Sequence, residues 1–151
     1  MFASSRSNSQ GGGTAIYVRK TLDCIRRHDL ESDLFESTFV EILSGDPISK
    51  KNYIIGEIYK PPNLNLDTFL DEIEKVLNEL DKTPVTALIG GDYNINFWRL
   101  PSDKAALKFC NLVTAYNYHP LIVVIRYFCF CTFIFSGGFQ GYSWPDHSHI
   151  L

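Results

Sequence analysis

The chain has 151 residues, 45% hydrophobic and 21% charged, enough for about one globular domain with its own core, which excludes disorder over the whole length. A formal charge of −3 gives no evidence for a strongly polybasic surface, and does not decide for or against nucleic acid, because a bound metal ion can meet phosphate in place of net charge. Cys24, Cys110, Cys129 and Cys131 form no CxxC pair and no Cys/His spacing of structural zinc, and the polar, Ser-rich start lacks the apolar stretch of a signal peptide, so reduced thiols in an intracellular protein are expected.

Composition divides the chain into a flexible lead over residues 1–12, a body over 13–122 and an atypical hydrophobic, aromatic tail over 123–151. In chain order, residues 14–18, 39–43, 53–59 and 85–89 carry the β-branched and aromatic composition of strands. Two prolines, Pro61 and Pro62, stop the third of these and force an extended exit, leaving Tyr59 at a sheet end with Lys60 beside it. Residues 67–80 place Phe69, Leu70, Ile73, Val76, Leu77 and Leu80 at the spacing of a helix with one buried stripe, capped by Asn65 or Asp67. A second helix is predicted over 102–116, with Ser102 as cap and Ala106, Phe109, Cys110, Val113 and Tyr116 on one face. Both stripes read as core. Strands mixed with helices in this way predict an α+β domain.

The most informative junction follows the fourth strand, where an apolar run ends in Gly90-Gly91-Asp92-Tyr93-Asn94-Ile95-Asn96. The glycines allow a sharp turn and keep side chains away from a ligand. Asp92 and Asn94, two apart, point the same way if strand geometry continues. A carboxylate beside a carboxamide suits hard-metal or phosphate chemistry: the acid can hold Mg²⁺, orient a water or take its proton, and the amide can donate to developing negative charge. The same residues also suit an Asx turn after a strand. At the end of the preceding strand the Tyr59 hydroxyl can orient a phosphate or a metal-bound water, and Lys60 can meet a phosphate as a point charge; an aromatic that caps the core before a proline turn accounts for the same residues.

Three blocks in this order, Gly11-Gly12-Gly13-Thr14-Ala15-Ile16-Tyr17-Val18, Ile58-Tyr59-Lys60-Pro61-Pro62-Asn63 and Gly90-Gly91-Asp92-Tyr93-Asn94-Ile95-Asn96, resemble the endonuclease/exonuclease/phosphatase superfamily. The intervening Phe35-Glu36-Ser37-Thr38-Phe39-Val40-Glu41-Ile42 resembles the family's strand leading into the proline motif. The closest likeness is to the endonuclease domain of non-LTR (LINE-type) retrotransposons, over residues 11–122. The resemblance implies a partial two-sheet β-sandwich flanked by helices, with the site at strand ends. It further implies Mg²⁺-dependent hydrolysis of a DNA phosphodiester that nicks a target, with DNA as partner and a nuclear location. By the same resemblance Tyr59 positions the phosphate, Asp92 orients or deprotonates the attacking water, Asn94 contacts the scissile phosphate, and Lys60 is an additional phosphate contact. Other readings are a different phosphoesterase of the superfamily, a non-catalytic binding module, or a relic.

The sequence also departs from the family pattern. The family's metal-binding glutamate lies upstream of the glycine block, whereas no Glu precedes Glu31 here, so the metal ligands are unassigned and a truncated, catalytically impaired copy is expected. The family's closing Ser-Asp-His motif has a faint counterpart in Asp146-His147, with Pro145 where serine is expected; the His147-x-His149 spacing could also ligate a metal. The tail from Val123 to Phe135 is short of the roughly 20 apolar residues of a membrane span, and Arg126 would be costly in lipid. Its composition suits a strand hairpin, and its bias toward residues with thymine-rich codons motivates a frame change or intron read-through beyond Ile122.

Overall fold

The computed structural model describes residues 1–5, 13–45, 51–100, 102–124 and 130–136, with residues 120–124 and 130–136 described by their backbone. The elements are β1 (Phe2–Ser4), β2 (Thr14–Ile16), β3 (Cys24–Arg26), β4 (Glu36–Ile42), β5 (Tyr53–Tyr59), α1 (Leu66–Asp81), β6 (Thr86–Asp92), α2 (Lys104–Ala115), β7 (Tyr118–Val124) and β8 (Phe130–Ser136), with short 3-10 turns at His28–Leu30 and Phe97–Arg99. One sheet has six strands in the order β3-β4-β5-β6-β8-β7, and β1 pairs with β2 in a second, two-stranded sheet. The α+β two-sheet fold expected from the resemblance is therefore present, in partial form. Strand β5 matches its predicted span, while β4 begins earlier and β6 runs on through both glycines to Asp92. Strands β1 and β3 are only three residues each, too short for a period-two pattern to reveal. Composition alone marks β1 as part of a flexible lead, yet it pairs with β2 from Phe2↔Ile16 to Ser4↔Thr14.

Strands β5 and β6 are the parallel pair in the large sheet. Parallel neighbours need a crossover, and α1 provides it. Helix α1 starts at Asn65, whose Oδ1 accepts the Asp67 and Thr68 amides at 2.8 and 3.2 Å, satisfying two otherwise orphaned donors. Its stripe of Phe69, Ile73, Val76, Leu77 and Leu80 is buried as predicted. Asp103, and not Ser102, caps α2: its Oδ1 accepts the Ala105 and Ala106 amides at 2.9 and 3.0 Å, while the Ser102 hydroxyl donates to the Arg99 carbonyl at 2.7 Å. The carboxylate is the stronger acceptor at a positive helix end. At the other end Asn117 takes φ of 59°, the left-handed conformation that asparagine tolerates best after glycine.

Register gives the large sheet two faces. Phe39, Ile54, Ile58, Ala87 and Ile89 share one with the buried sides of α1 and α2, forming the main core. Gly56 lies on this face because the Phe39 ring occupies the space a side chain would need; an added Cβ would lie 2.4 Å from Phe39 Cε1. Glu36, Thr38, Val40, Glu57, Tyr59 and Asp92 share the opposite face. There the small sheet packs over β4 and β5, with a buried hydrogen bond of 2.7 Å between the Thr14 and Thr38 hydroxyls joining the layers. Strands β7 and β8 pair antiparallel, and β8 joins β6 at Leu88↔Phe135 and Ile89↔Ile134. The first residues of the tail thus continue β7 as far as Val124, and the hairpin composition corresponds to this strand pair. No helix among the described residues is long and apolar enough to cross a membrane.

Candidate active site

The site lies where β5 and β6 end together. Because the strands run parallel and in register, Tyr59 is the partner of Asp92, and on the far side of Tyr59 its β4 partner is Glu36. One row across three strands therefore holds an acid, a phenol and a second acid on the same face. Asp92 is half-buried and Glu36 is buried. Glu36 is the component that motif reading left unassigned; its signal is the pairing of β4 with the proline-motif strand, which no linear motif displays. One pair further in, burial pushes the Glu57 carboxyl above the usual carboxylate range, since a charged acid loses hydration there.

Beyond Asp92 the strand geometry does not continue. Asn94 has φ of 48°, and its backbone amide donates to Asp92 Oδ1 at 3.0 Å, an Asx turn that bends the chain and fixes the carboxylate. The Asn94 side chain reaches back to β5, where Nδ2 donates to the Lys60 carbonyl at 2.8 Å. The Lys60 amide in turn donates to the Asp92 carbonyl at 2.9 Å. Two bonds in opposite directions thus tie the two strand exits together. Tyr59, Asp92 and Asn94, chosen from sequence, occupy this one junction. Gly90 and Gly91 lie in the strand itself, and Gly91 serves close approach to β5 more than turning: a Cβ there would meet the Ile58 carbonyl oxygen at 1.8 Å.

Lys60 turns toward the core and is 4% exposed. Its ammonium donates to the Pro61 carbonyl at 3.2 Å and lies 5.9 Å from the Phe69 ring centroid, a cation–π geometry. Burial pushes its pKa down, and attraction to the Asp92 carboxylate opposes that shift. A lysine whose folded value is depressed carries its penalty at neutral pH and sheds it as pH rises toward its ordinary value of 10.5. Lys60→Met, which keeps the aliphatic length without the charge, is expected to be neutral or stabilising by about 1 kcal/mol at neutral pH. The gain should shrink as pH approaches about 10. Denaturant titration of both forms at the two pH values checks this; a loss of stability at neutral pH would show that the ammonium contributes more than its burial costs.

Mg²⁺ is commonly held by one or two carboxylates with its own waters and substrate phosphate oxygens. Asp92 supplies a carboxylate and Asn94, two residues on, a carboxamide. No cluster of three or more His, Cys, Asp or Glu side chains that could hold a metal exists among the described residues. The donor set therefore fits an ion that arrives with phosphate and water, and not an all-protein cage. Asp146, His147 and His149 lie outside the described residues, as do Gly11 and Gly12 of the glycine block. His28 is an exposed surface histidine whose Nδ1 lies 3.2 Å from Glu31 Oε2. Cys24 and Cys110 are free thiols; Cys129 lies outside the described residues.

Comparison with known proteins agrees with this geometry. A search of curated proteins gives no match. Among solved structures, the endonuclease domain of TRAS1, a telomere-specific non-LTR retrotransposon, superposes with a TM-score of 0.59 at 16% identity, covering 78% of this chain and 57% of that one. The likeness is one of fold, and the chain spans a little over half of that domain. A sequence profile described as the Endonuclease/Exonuclease/phosphatase family matches residues 2–149, nearly the whole length and more than the motif blocks cover. The chain belongs to the endonuclease/exonuclease/phosphatase family.

Proposed function

We propose that the chain is a Mg²⁺-dependent DNA phosphodiester endonuclease of the target-nicking type found in non-LTR retrotransposons. The observation that carries this reading is the register pairing of Tyr59 with Asp92 at parallel strand ends, locked by the Asn94 bond to the Lys60 carbonyl. Asp92, held by the Asn94 amide, orients a water and accepts its proton as the water oxygen attacks phosphorus. The bond from phosphorus to the 3′ oxygen breaks, and that oxygen takes a proton from solvent, leaving a 3′-hydroxyl and a 5′-phosphate. The Tyr59 hydroxyl positions a non-bridging phosphate oxygen. One Asn94 amide hydrogen is committed to Lys60, and the second is available to the phosphate. When bound, Mg²⁺ would polarise the phosphate oxygens and stabilise the leaving oxygen, with Asp92 and the Asn94 carboxamide oxygen as its protein donors. Since those donors are few, the reading includes an impaired rate compared with a site that has a dedicated ligand cluster.

Supercoiled plasmid is the substrate for the test. Nicking is expected in Mg²⁺ and not in EDTA, and Asp92→Ala should lower it at least about 100-fold. Equal nicking by wild type and Asp92→Ala, or hydrolysis of small phosphomonoesters with no action on plasmid, would reject the endonuclease reading.

A further inference from the structure

Past Asp92 the chain alternates strictly in exposure although it has left the sheet. Tyr93, Ile95 and Phe97 are buried at 2, 7 and 5% exposure, while Asn94, Asn96 and Trp98 face outward. The inward residues fix the ribbon: Tyr93 and Phe97 pack against Phe109 with ring centroids 5.0 and 5.5 Å away. The Phe97–Arg99 turn is closed by the Leu100 amide on the Phe97 carbonyl at 3.3 Å, and the Asp103 amide holds the Arg99 carbonyl at 2.9 Å. The outward file therefore runs acid, amide, amide and indole, and ends at exposed Arg99.

Trp98 is 62% exposed, with an aromatic surface open to a stacking partner. Rigid neighbours present it without the ordering cost that a mobile loop would add. Arg99 and, after one turn of chain, Lys104 are exposed and make no ion pair among the described residues. Asp103, the acid between them, spends its carboxylate on the α2 cap. An exposed indole followed directly in the chain by an exposed arginine, with an exposed lysine at the start of α2, offers the chemistry that binds single-stranded nucleic acid, where an unstacked base presents its face and the backbone its charge. Trp98 lies six positions after Asp92, at most about 22 Å fully extended, so both can engage one strand within a few nucleotides.

We infer that Trp98 is a substrate-binding residue that stacks on an unpaired nucleobase of the DNA strand being cut, with Arg99 and Lys104 on the neighbouring phosphates. A continuous duplex keeps its base faces covered, so the site favours substrates with an unpaired stretch beside the cut. The inference rests on the endonuclease reading for the identity of the strand but not for the stacking itself, so its test avoids cleavage.

The test is carried out in EDTA on the full chain with Trp144→Phe as background, leaving Trp98 as the fluorophore. The probe is an oligothymidylate of about 10 nucleotides, with the same oligonucleotide paired to its complement as control. Trp98 fluorescence should be quenched by the single strand at concentrations where the duplex has little effect. By anisotropy, Trp98→Ala should weaken single-strand binding about tenfold and Trp98→Phe less than about threefold, with Arg99→Gln reducing the salt dependence. Unchanged binding in Trp98→Ala, or no binding of either DNA form, would overturn the inference. Quenching by single strand in a chain that fails to nick plasmid would uphold it while rejecting the catalytic reading.

Discussion

Gly91→Ala is expected to destabilise the folded chain by about 4 kcal/mol, the sum of strained backbone at about 1–3 kcal/mol and overpacking at about 1–3 kcal/mol. Gly91 has φ of 144°, a region that L side chains rarely adopt, and an added Cβ would lie 1.8 Å from the Ile58 carbonyl oxygen and 2.8 Å from the Ile58 nitrogen. Both atoms are backbone, so no side-chain rotation relieves the clash. Relief must come from separating β5 and β6, which also parts Tyr59 from Asp92 one register position on. For a domain of this size the change corresponds to a melting temperature lower by roughly 10 °C. Gly45→Ala is the matched control, because a Cβ there meets nothing within 4 Å, and its effect should stay within about 0.5 kcal/mol. Calorimetry of the two variants side by side decides the matter; equal melting would mean that the strand pair is held less closely than Gly91 implies.

The parts of the fold legible in sequence are those whose signal is local. Strand β5 and the α1 stripe stand out because the side-chain period repeats often enough to be seen. The α2 cap lies one residue after the serine that sequence favours, because Ser102 and Asp103 are both good caps and the Arg99 carbonyl, brought near by the 3-10 turn, draws the serine hydroxyl away. Tyr59, Asp92 and Asn94 were visible as motif residues, but their meeting depends on parallel register, which no spacing encodes. The role of Gly91 was visible as a glycine and invisible as a contact, since the obstructing atom belongs to Ile58, thirty-odd residues earlier in the chain. Glu36 lies in a block legible only as a strand and Trp98 in no motif block: one enters the row through strand pairing, and the other is notable only once its exposure is known.

The junction illustrates how a strand end is made rigid enough for chemistry. A carboxylate in the role proposed for Asp92 gains from a fixed orientation, since reorganisation at the moment of reaction raises the barrier. Here Asp92 is fixed through its own loop by the Asn94 amide, and that loop is fixed to β5 by the Asn94 side chain. Farther along, the ribbon from 92 to 98 is also held by its inward residues, which pack against α2, so the stability of the site depends in part on a core contact made by that helix.

Phe109 makes that contact, and Phe109→Ala is expected to cost about 3–5 kcal/mol. The ring is fully buried and packs with Tyr93 at 5.0 Å, Phe97 at 5.5 Å and Phe69 at 6.5 Å between centroids. Truncation leaves a cavity bordered by both anchors of the ribbon, so the loss should not be spread evenly. Amide exchange at Asn94, Phe97 and Leu100 should accelerate more than exchange within β4 and β5, whose pairing does not involve the ring. If DNA binding uses the ribbon as proposed, the same variant should bind a single strand more weakly although Trp98 and Arg99 are unchanged. Leu107→Ala, at an exposed position two residues earlier on α2, controls for helix effects and should change stability by about 0.5 kcal/mol or less. Uniform acceleration across the sheet in Phe109→Ala would show that the ring supports the domain as a whole and that the ribbon is held by other means.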